Sequence, residues 1–486
     1  MTWKHQAGAV IAFLALLTGN GPCAAAGPVQ ARLEQSLLPA VRIKGRPMPA
    51  WSLAERMAHY RVPGVGIALI ENGAVAWAGG YGVLHAGQDA PVSADTRFQA
   101  ASLSKLIAAT LTLQQVEAGR LGLDEDVNHA LRNWTLPRDD SAGGAPVTPA
   151  LLLAHRAGVS VSGFEGYAQG APLPDLGAIL DGRAPANSAP VRVTAAPGSA
   201  GRYSGGGYMV LQQLIEDVAG QPFEALAQAS LFQPLRMERS GYAMPTAGVA
   251  CGHGYDGRPL AGCGNRYPEA AAAGLWSTPA DMATWALALS AAYRGEHASP
   301  LRPGTARRML SPLVAGGDLG LGPGVHGKGA GLHFDHAGSN RGYRAYLLMF
   351  PETGGGIVVM TNGDGGQELI GEIVRGAASL LGWPGFEPRQ RSTVRLPAAQ
   401  LDARAGDYQA GAFRASVSRV EDHLLLRTPR GTTYAFHPSS GTDYFALEDG
   451  STLVFAEQDG RPVMHLWGMT AVRCDGGERA CDGGGP

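Results

Sequence analysis

At 486 residues, with 45% apolar side chains and a net charge of −2, the chain suits a large enzyme domain with a smaller companion. It carries no basic run or stripe, which excludes a nucleic-acid footprint. Its 70 glycines and 33 prolines are about a fifth of the residues, short of the roughly 25–30% that marks low-complexity disorder.

The N-terminus reads as an address. Lys4 and His5 precede an apolar run at 7–17, and Ala24-Ala25-Ala26 offers a cleavage site before Gly27. The expectation is a signal peptide over 1–26 and a periplasmic or secreted mature chain. The run is too short for a stable membrane span, and Pro22 before Cys23 argues against lipidation. Export leaves four cysteines in an oxidising compartment. Three pairings are open, of which the local pairs Cys251–Cys263 and Cys474–Cys481 are the simplest, with free thiols as the alternative. Neither pair has CxxC spacing or a nearby His ladder, so no metal is expected there. His333-x-x-His336 is a weak metal motif.

Residues 31–60 read as helical and polar. Residues 65–70 and 74–78, separated by Glu71-Asn72-Gly73, read as a hairpin, because Asn-Gly suits a tight turn. A helix follows over 102–118, apolar on nearly every face and ended by Gly119, which predicts burial. Residues 139–199 are loop-rich. An amphipathic helix is expected at 208–218, and Thr278-Pro279-Ala280-Asp281 opens another with a cap, a first-turn proline and an acid. Strands are expected at 344–350 and 356–361, then a helix over 369–381. The pattern changes after Pro384. Short alternating segments at 415–420, 424–427, 433–436, 451–455 and 463–467 predict a small all-β barrel or sandwich. The expected domains are therefore 27–388 and 389–474, with a disordered tail over 475–486. No internal repeat is visible.

Only four of the 39 basic residues are lysine: Lys4, Lys44, Lys105 and Lys328. Lys105 lies on the apolar helix, three residues after Ser102, so the two side chains share a face. A serine hydroxyl needs a base to become a nucleophile. A buried lysine can lose its proton and serve as that base, whereas arginine cannot. Ser-x-x-Lys alone is a weak signal, equally consistent with a helix cap and a snorkelling lysine. Two later motifs strengthen it. Tyr203 sits on the Gly-rich loop Arg202-Tyr203-Ser204-Gly205-Gly206-Gly207, where a phenol can move a proton. His336-Ala337-Gly338-Ser339-Asn340 precedes a strong strand, and the Ser339 backbone N–H can join that of Ser102 as an oxyanion hole. No Gly-x-Ser-x-Gly elbow and no HExxH motif competes.

These three motifs, in this order, resemble the serine β-lactamase and penicillin-binding-protein superfamily, in particular its class C β-lactamase-like serine hydrolases. The resemblance covers about 51–382 and includes Leu151-Leu152-Leu153-Ala154-His155-Arg156-Ala157-Gly158 and Ala272-Ala273-Gly274-Leu275-Trp276. It implies an α+β fold, an antiparallel sheet flanked by helices with a helical subdomain carrying Tyr203, and a C-terminal lipocalin-like β domain. It implies an acyl-enzyme on Ser102, proton transfer by Lys105 and Tyr203, and substrate contact from His336, Gly338, Ser339 and Asn340, with no cofactor. The substrate implied is a small molecule or short peptide. Two positions depart from the family pattern. Gly205 stands where the family has Asn, and His336 where many members have Lys. Both departures point to small esters, amides or D-amino-acid peptides, with β-lactam hydrolysis or a non-catalytic penicillin-recognising domain as alternatives.

Overall fold

The computed structural model describes residues 28–474 apart from Ala298. The expected signal peptide, the tail and Cys481 lie outside the described residues, and with Cys481 goes the expected Cys474–Cys481 bridge. Among the described residues no helix is long and apolar enough to cross a membrane.

The region expected as one helix over 31–60 is broken by Pro39, Gly45, Pro47 and Pro49, which cannot sit in a helix interior without loss. It forms a short helix at Pro28–Leu33, a strand at Val41–Ile43, and helix α1 (Leu53–Tyr60). A capping box starts α1: Ser52 Oγ accepts from the Glu55 N–H at 3.2 Å, and the Glu55 carboxylate accepts from the Ser52 N–H at 3.1 Å.

Six antiparallel strands form the central sheet: β1 (Gly64–Glu71), β2 (Ala74–Gly82), β3 (Gly324–His326), β4 (His333–Asn340), β5 (Tyr343–Phe350) and β6 (Gly355–Thr361). Their spatial order is β2-β1-β6-β5-β4-β3. The predicted Asn-Gly turn joins β1 to β2, with both residues at positive φ. Both faces of the sheet are covered, so its central strands are apolar throughout rather than alternating. Ile357 and Val359 enter one core while Val358 and Met360 enter the other. The first core lies under α6 (Gly366–Leu381). The second packs on α2 (Ser104–Glu117), α3 (Gly205–Ala219) and α5 (Pro279–Arg294). α5 starts as predicted, with Thr278 Oγ1 accepting from the Asp281 N–H at 3.1 Å. α3 begins three residues earlier than the sequence suggests and is buried on nearly every side rather than amphipathic. Its opening glycines hide the start, and they are there for close approach: a Cβ on Gly206 would lie 2.5 Å from the Ser160 carbonyl oxygen.

One buried ion pair ties α1 to α6. Arg56 grips Glu372 with two bonds, at 2.8 and 2.7 Å, and the Tyr60 hydroxyl donates to the same carboxylate at 2.6 Å. Glu372→Ala would leave Arg56, 7% exposed, without its counter-charge. The expected cost is about 3–5 kcal/mol, read as a lowered melting temperature.

The C-terminal strands form a closed antiparallel barrel: β7 (Gly406–Ala410), β8 (Phe413–Val420), β9 (His423–Arg427), β10 (Thr433–Pro438), β11 (Asp443–Ala446), β12 (Thr452–Gln458), β13 (Arg461–Leu466) and β14 (Met469–Arg473). Five of these were expected. β7, β11 and β14 are short and flanked by turn residues, which masks their alternation. Tyr408, Phe436, Tyr444 and Phe455 fill the interior. The barrel is docked on the larger domain: Val41–Ile43 pairs in parallel with Arg389–Arg391, and Arg61 donates to the Arg430 carbonyl at 2.8 Å.

Candidate active site

Ser102 lies in a single 3-10 turn, Ala101–Leu103, that feeds α2. Ala101 has φ +50°, in the left-handed region that non-glycine residues avoid. The turn is fixed from below by Ser104, whose hydroxyl donates to the Ala101 carbonyl at 2.5 Å and accepts from the Leu275 N–H at 3.0 Å. One helical turn on, Lys105 is 2% exposed. Its Nζ lies 3.2 Å from Ser102 Oγ and donates to the Ala272 carbonyl at 2.7 Å. That carbonyl belongs to the short helix α4 (Ala270–Ala273), held to α3 by the Ala271 N–H donating to Gln212 at 3.1 Å. Burial pushes the Lys105 ammonium below its ordinary pKa, and the Tyr203 phenol pulls the other way. The proton is thus destabilised on Lys105 without any carboxylate partner to hold it there.

Tyr203 stands at the cleft rim, 44% exposed, its ring centroid 5.0 Å from Lys105 Nζ. Behind it lies His155, which the sequence reading placed in a flanking run and gave no role. The two rings are 4.2 Å apart. His155 Nδ1 accepts the Ser204 N–H at 3.1 Å, while its Nε2 is buried without a protein partner. Burial, then Lys105 and His336, push its pKa well down, so the ring is neutral. The Leu-Leu-Ala-His run carried the signal; what it lacked was any indication of spatial neighbours.

β4 forms the opposite wall. β3 pairs with it only from His333 to Asp335, so residues 336–340 leave that edge to the cleft. Gly338 passes over the Ser102 turn so closely that a Cβ there would meet the Ala100 carbonyl oxygen at 2.5 Å. His336 sits half-buried in the wall, its Nδ1 on the Ala337 carbonyl at 2.7 Å. Burial, with Lys105 adding repulsion, lowers its pKa to about 4. Ser339 is exposed beside it, whereas Asn340 is buried and its amide donates to Gln99 at 2.8 Å and to the Ala273 carbonyl at 3.2 Å. The Asn340 amide is therefore committed to the floor of the cleft. His333, three residues before His336 on a strand, packs instead on Phe350 and Phe386. A second pair escaped the sequence reading: His326 Nε2 lies 3.4 Å from Asp335, which also accepts the Tyr346 hydroxyl at 2.6 Å.

Ser102, Lys105, Tyr203, His336, Gly338, Ser339 and Asn340 all line one cavity of about 470 Å³, joined there by His155, Phe164 and Asp335. At Gly205 a side chain would press on the Phe164 ring, 3.0 Å from a Cβ. Near the site, Cys251 and Cys263 are joined in a disulfide, and the Cys263 carbonyl accepts the buried Tyr343 hydroxyl at 2.7 Å.

The chain is similar to several known proteins. Penicillin-binding protein 4 of Amycolatopsis lactamdurans is 30% identical over 187 residues, 38% of this chain and 46% of that protein. Esterase EstB of Burkholderia gladioli is 34% identical over 161 residues, 31% of this chain and 40% of the esterase. The chain spans less than half the length of each of these curated relatives. The fold is shared with the octameric penicillin-binding protein homologue from Pyrococcus abyssi, with a TM-score of 0.58, 23% identity, and coverage of 87% of this chain and 98% of that one. It is shared too with a D-amino acid amidase from Ochrobactrum anthropi SV3, with a TM-score of 0.54 and 21% identity over 68% of this chain and 95% of that one. The family model Beta-lactamase matches residues 52–379, a span that contains all three motifs, and the chain belongs to that family.

Proposed function

We propose that the protein is an exported, class C-like serine hydrolase that forms an acyl-enzyme on Ser102 and acts on small esters, amides or D-amino-acid peptides. The observation that carries this reading is the buried Lys105 amine 3.2 Å from Ser102 Oγ, with no carboxylate paired to it. Neutral Lys105 takes the Ser102 proton as Oγ bonds to the substrate carbonyl carbon. The Ser102 and Ser339 N–H groups receive the oxyanion. Collapse breaks the bond to the leaving alkoxide or amine, which takes a proton through Lys105 and Tyr203. Water then attacks the acyl carbon, giving its proton back along the same path and freeing Ser102. His155 positions Tyr203 by ring contact and stays neutral.

The cleft favours uncharged carbonyl compounds. With a pKa of about 4, His336 carries no charge at pH 7 and offers no ion pair to a β-lactam carboxylate. Phe164 crowds the space beside Gly205, where the family's Asn would reach an acylamino group. The names of the relatives, an esterase and a D-amino acid amidase among them, agree with this substrate class. The Cys251–Cys263 bridge supports export, because such bonds persist in oxidising compartments.

A fluorophosphonate probe with mass mapping tests the assignment. Label is expected on the Ser102 peptide and absent from Ser102→Ala. Turnover of a p-nitrophenyl ester or a D-amino-acid amide should exceed that of a chromogenic cephalosporin. Faster cephalosporin turnover would make the protein a class C-like β-lactamase. A stable penicillin adduct with no turnover of any substrate would make it a penicillin-recognising domain. Label that persists in Ser102→Ala would remove the nucleophile assignment.

A further inference from the structure

A second cavity, of about 520 Å³, lies where the mouth of the barrel meets the larger domain. It shares no lining residue with the catalytic cleft. The barrel interior is lined by its own apolar side chains, aromatic and aliphatic, and the cavity lies at its rim. Its walls are aromatic: Tyr255 from the larger domain, and Phe413, Tyr434 and Trp467 from the barrel. Trp467 stands edge-on to Tyr434 at 5.3 Å and to Phe413 at 6.2 Å.

Two observations point to a ligand. The first is Trp467 itself. It occupies the two-residue turn between β13 and β14, where Leu466 pairs with Met469. Trp467 has φ +49° and Gly468 φ +74°, both left-handed, in a turn that favours Asn-Gly. A bulky tryptophan there costs about 1–3 kcal/mol, and it remains 41% exposed. Its indole N–H donates to Ser451 Oγ at 2.7 Å, which fixes the ring where it closes one side of the cavity. The second is Glu368, near the start of α6, which lines the cavity from the other domain. Among the described residues no Lys or Arg forms an ion pair with it. The Tyr434 hydroxyl donates to it at 3.3 Å. Arg430, the cation on the rim, lies flat on Tyr255 with 4.1 Å from guanidinium to ring centroid.

A carboxylate without a basic ion-pair partner, lining a cavity together with aromatic rings, is an arrangement that holds an organic cation, because each ring presents negative charge on its face. We propose that this interdomain cavity is a second binding site, for a small organic ammonium ion with an apolar body. The ammonium group meets Glu368 and the ring faces, and the apolar body fills the remaining volume. The barrel thereby has a task apart from the chemistry at Ser102.

Calorimetric titration of the full chain tests this with three probes of one shape: benzyltrimethylammonium, benzyl alcohol and benzoate. Benzyltrimethylammonium is expected to bind about tenfold more tightly than benzyl alcohol, with benzoate weakest. Glu368→Gln should erase the preference for the cation while leaving ester turnover unchanged. Trp467→Asn suits the left-handed turn, which offsets the lost indole bond to Ser451, so it should leave ester turnover and folding intact while weakening the cation's binding. Loss of the cation's binding in a variant that still folds and turns over ester separates a ligand role from a structural one. Equal binding of the three probes, no binding of the cation, or a preference that survives Glu368→Gln would each overturn the proposal.

Discussion

Lys105→Arg is expected to lower the acylation rate by about 10²–10⁴-fold, although it keeps the positive charge. The reason lies in the proton rather than the charge. Lys105 is held in an apolar setting with one carbonyl acceptor, and burial favours its neutral form. Arginine keeps its proton at any pH an enzyme survives, so it cannot accept one from Ser102. Lys105→Met preserves much of the shape and removes the base, and should lose a similar factor. Stopped-flow acylation by an activated ester, with melting temperatures as a check on folding, measures both. Wild-type rates in Lys105→Arg would mean that the residue acts only by charge or by packing.

Gly338→Ala should cost about 10²-fold in kcat/KM and about 1–3 kcal/mol in stability. The added Cβ would stand 2.5 Å from the Ala100 carbonyl oxygen and 3.3 Å from the Ala101 Cβ. Neither is a flexible side-chain end that can swing away. Either β4 or the Ser102 turn must shift, and both line the candidate site. The φ of Gly338 is not in the left-handed region, so the strain is one of space and not of backbone conformation. Steady-state ester hydrolysis and a thermal melt read the two effects. A variant with normal kinetics would show that the close passage of β4 is not needed for the geometry of the nucleophile.

Much of the site was legible because its chemistry is written in side chains at short spacing. Ser102 and Lys105 are one helical turn apart, and an apolar helix around a lysine already implies a displaced proton. The hairpin at Asn72-Gly73, the start at Thr278-Pro279 and the buried strands 344–350 and 356–361 follow from local turn chemistry and apolar runs. What the sequence could not convey is mostly backbone or long-range. The acceptor for Lys105 is the Ala272 carbonyl, and an alanine run gives no sign of it. His155 acts through a ring 48 positions away, and Asp335 through His326 on a neighbouring strand. Asn340 lay in a motif that implied substrate contact, yet its amide turns to Gln99. The helical reading of 31–60 fails between Leu33 and Leu53, where Pro39, Pro47 and Pro49 interrupt the polar pattern. The strained Trp467 turn is visible only once the pairing of Leu466 with Met469 fixes it as a tight hairpin.

The central claim is that a neutral lysine activates Ser102, and the pH dependence of acylation tests it most directly. Burial lowers the Lys105 pKa, so the base form is present above that lowered value, and the rate should rise with pH through it and then level off. His336, with a pKa of about 4, has finished titrating well below this range and adds no second rise. The account predicts a half-maximal acylation rate at a pH below the ordinary lysine value of about 10.4. It also predicts that this rise disappears in Lys105→Arg. A half-maximum at the ordinary lysine value, or a rise that persists in Lys105→Arg, would contradict it.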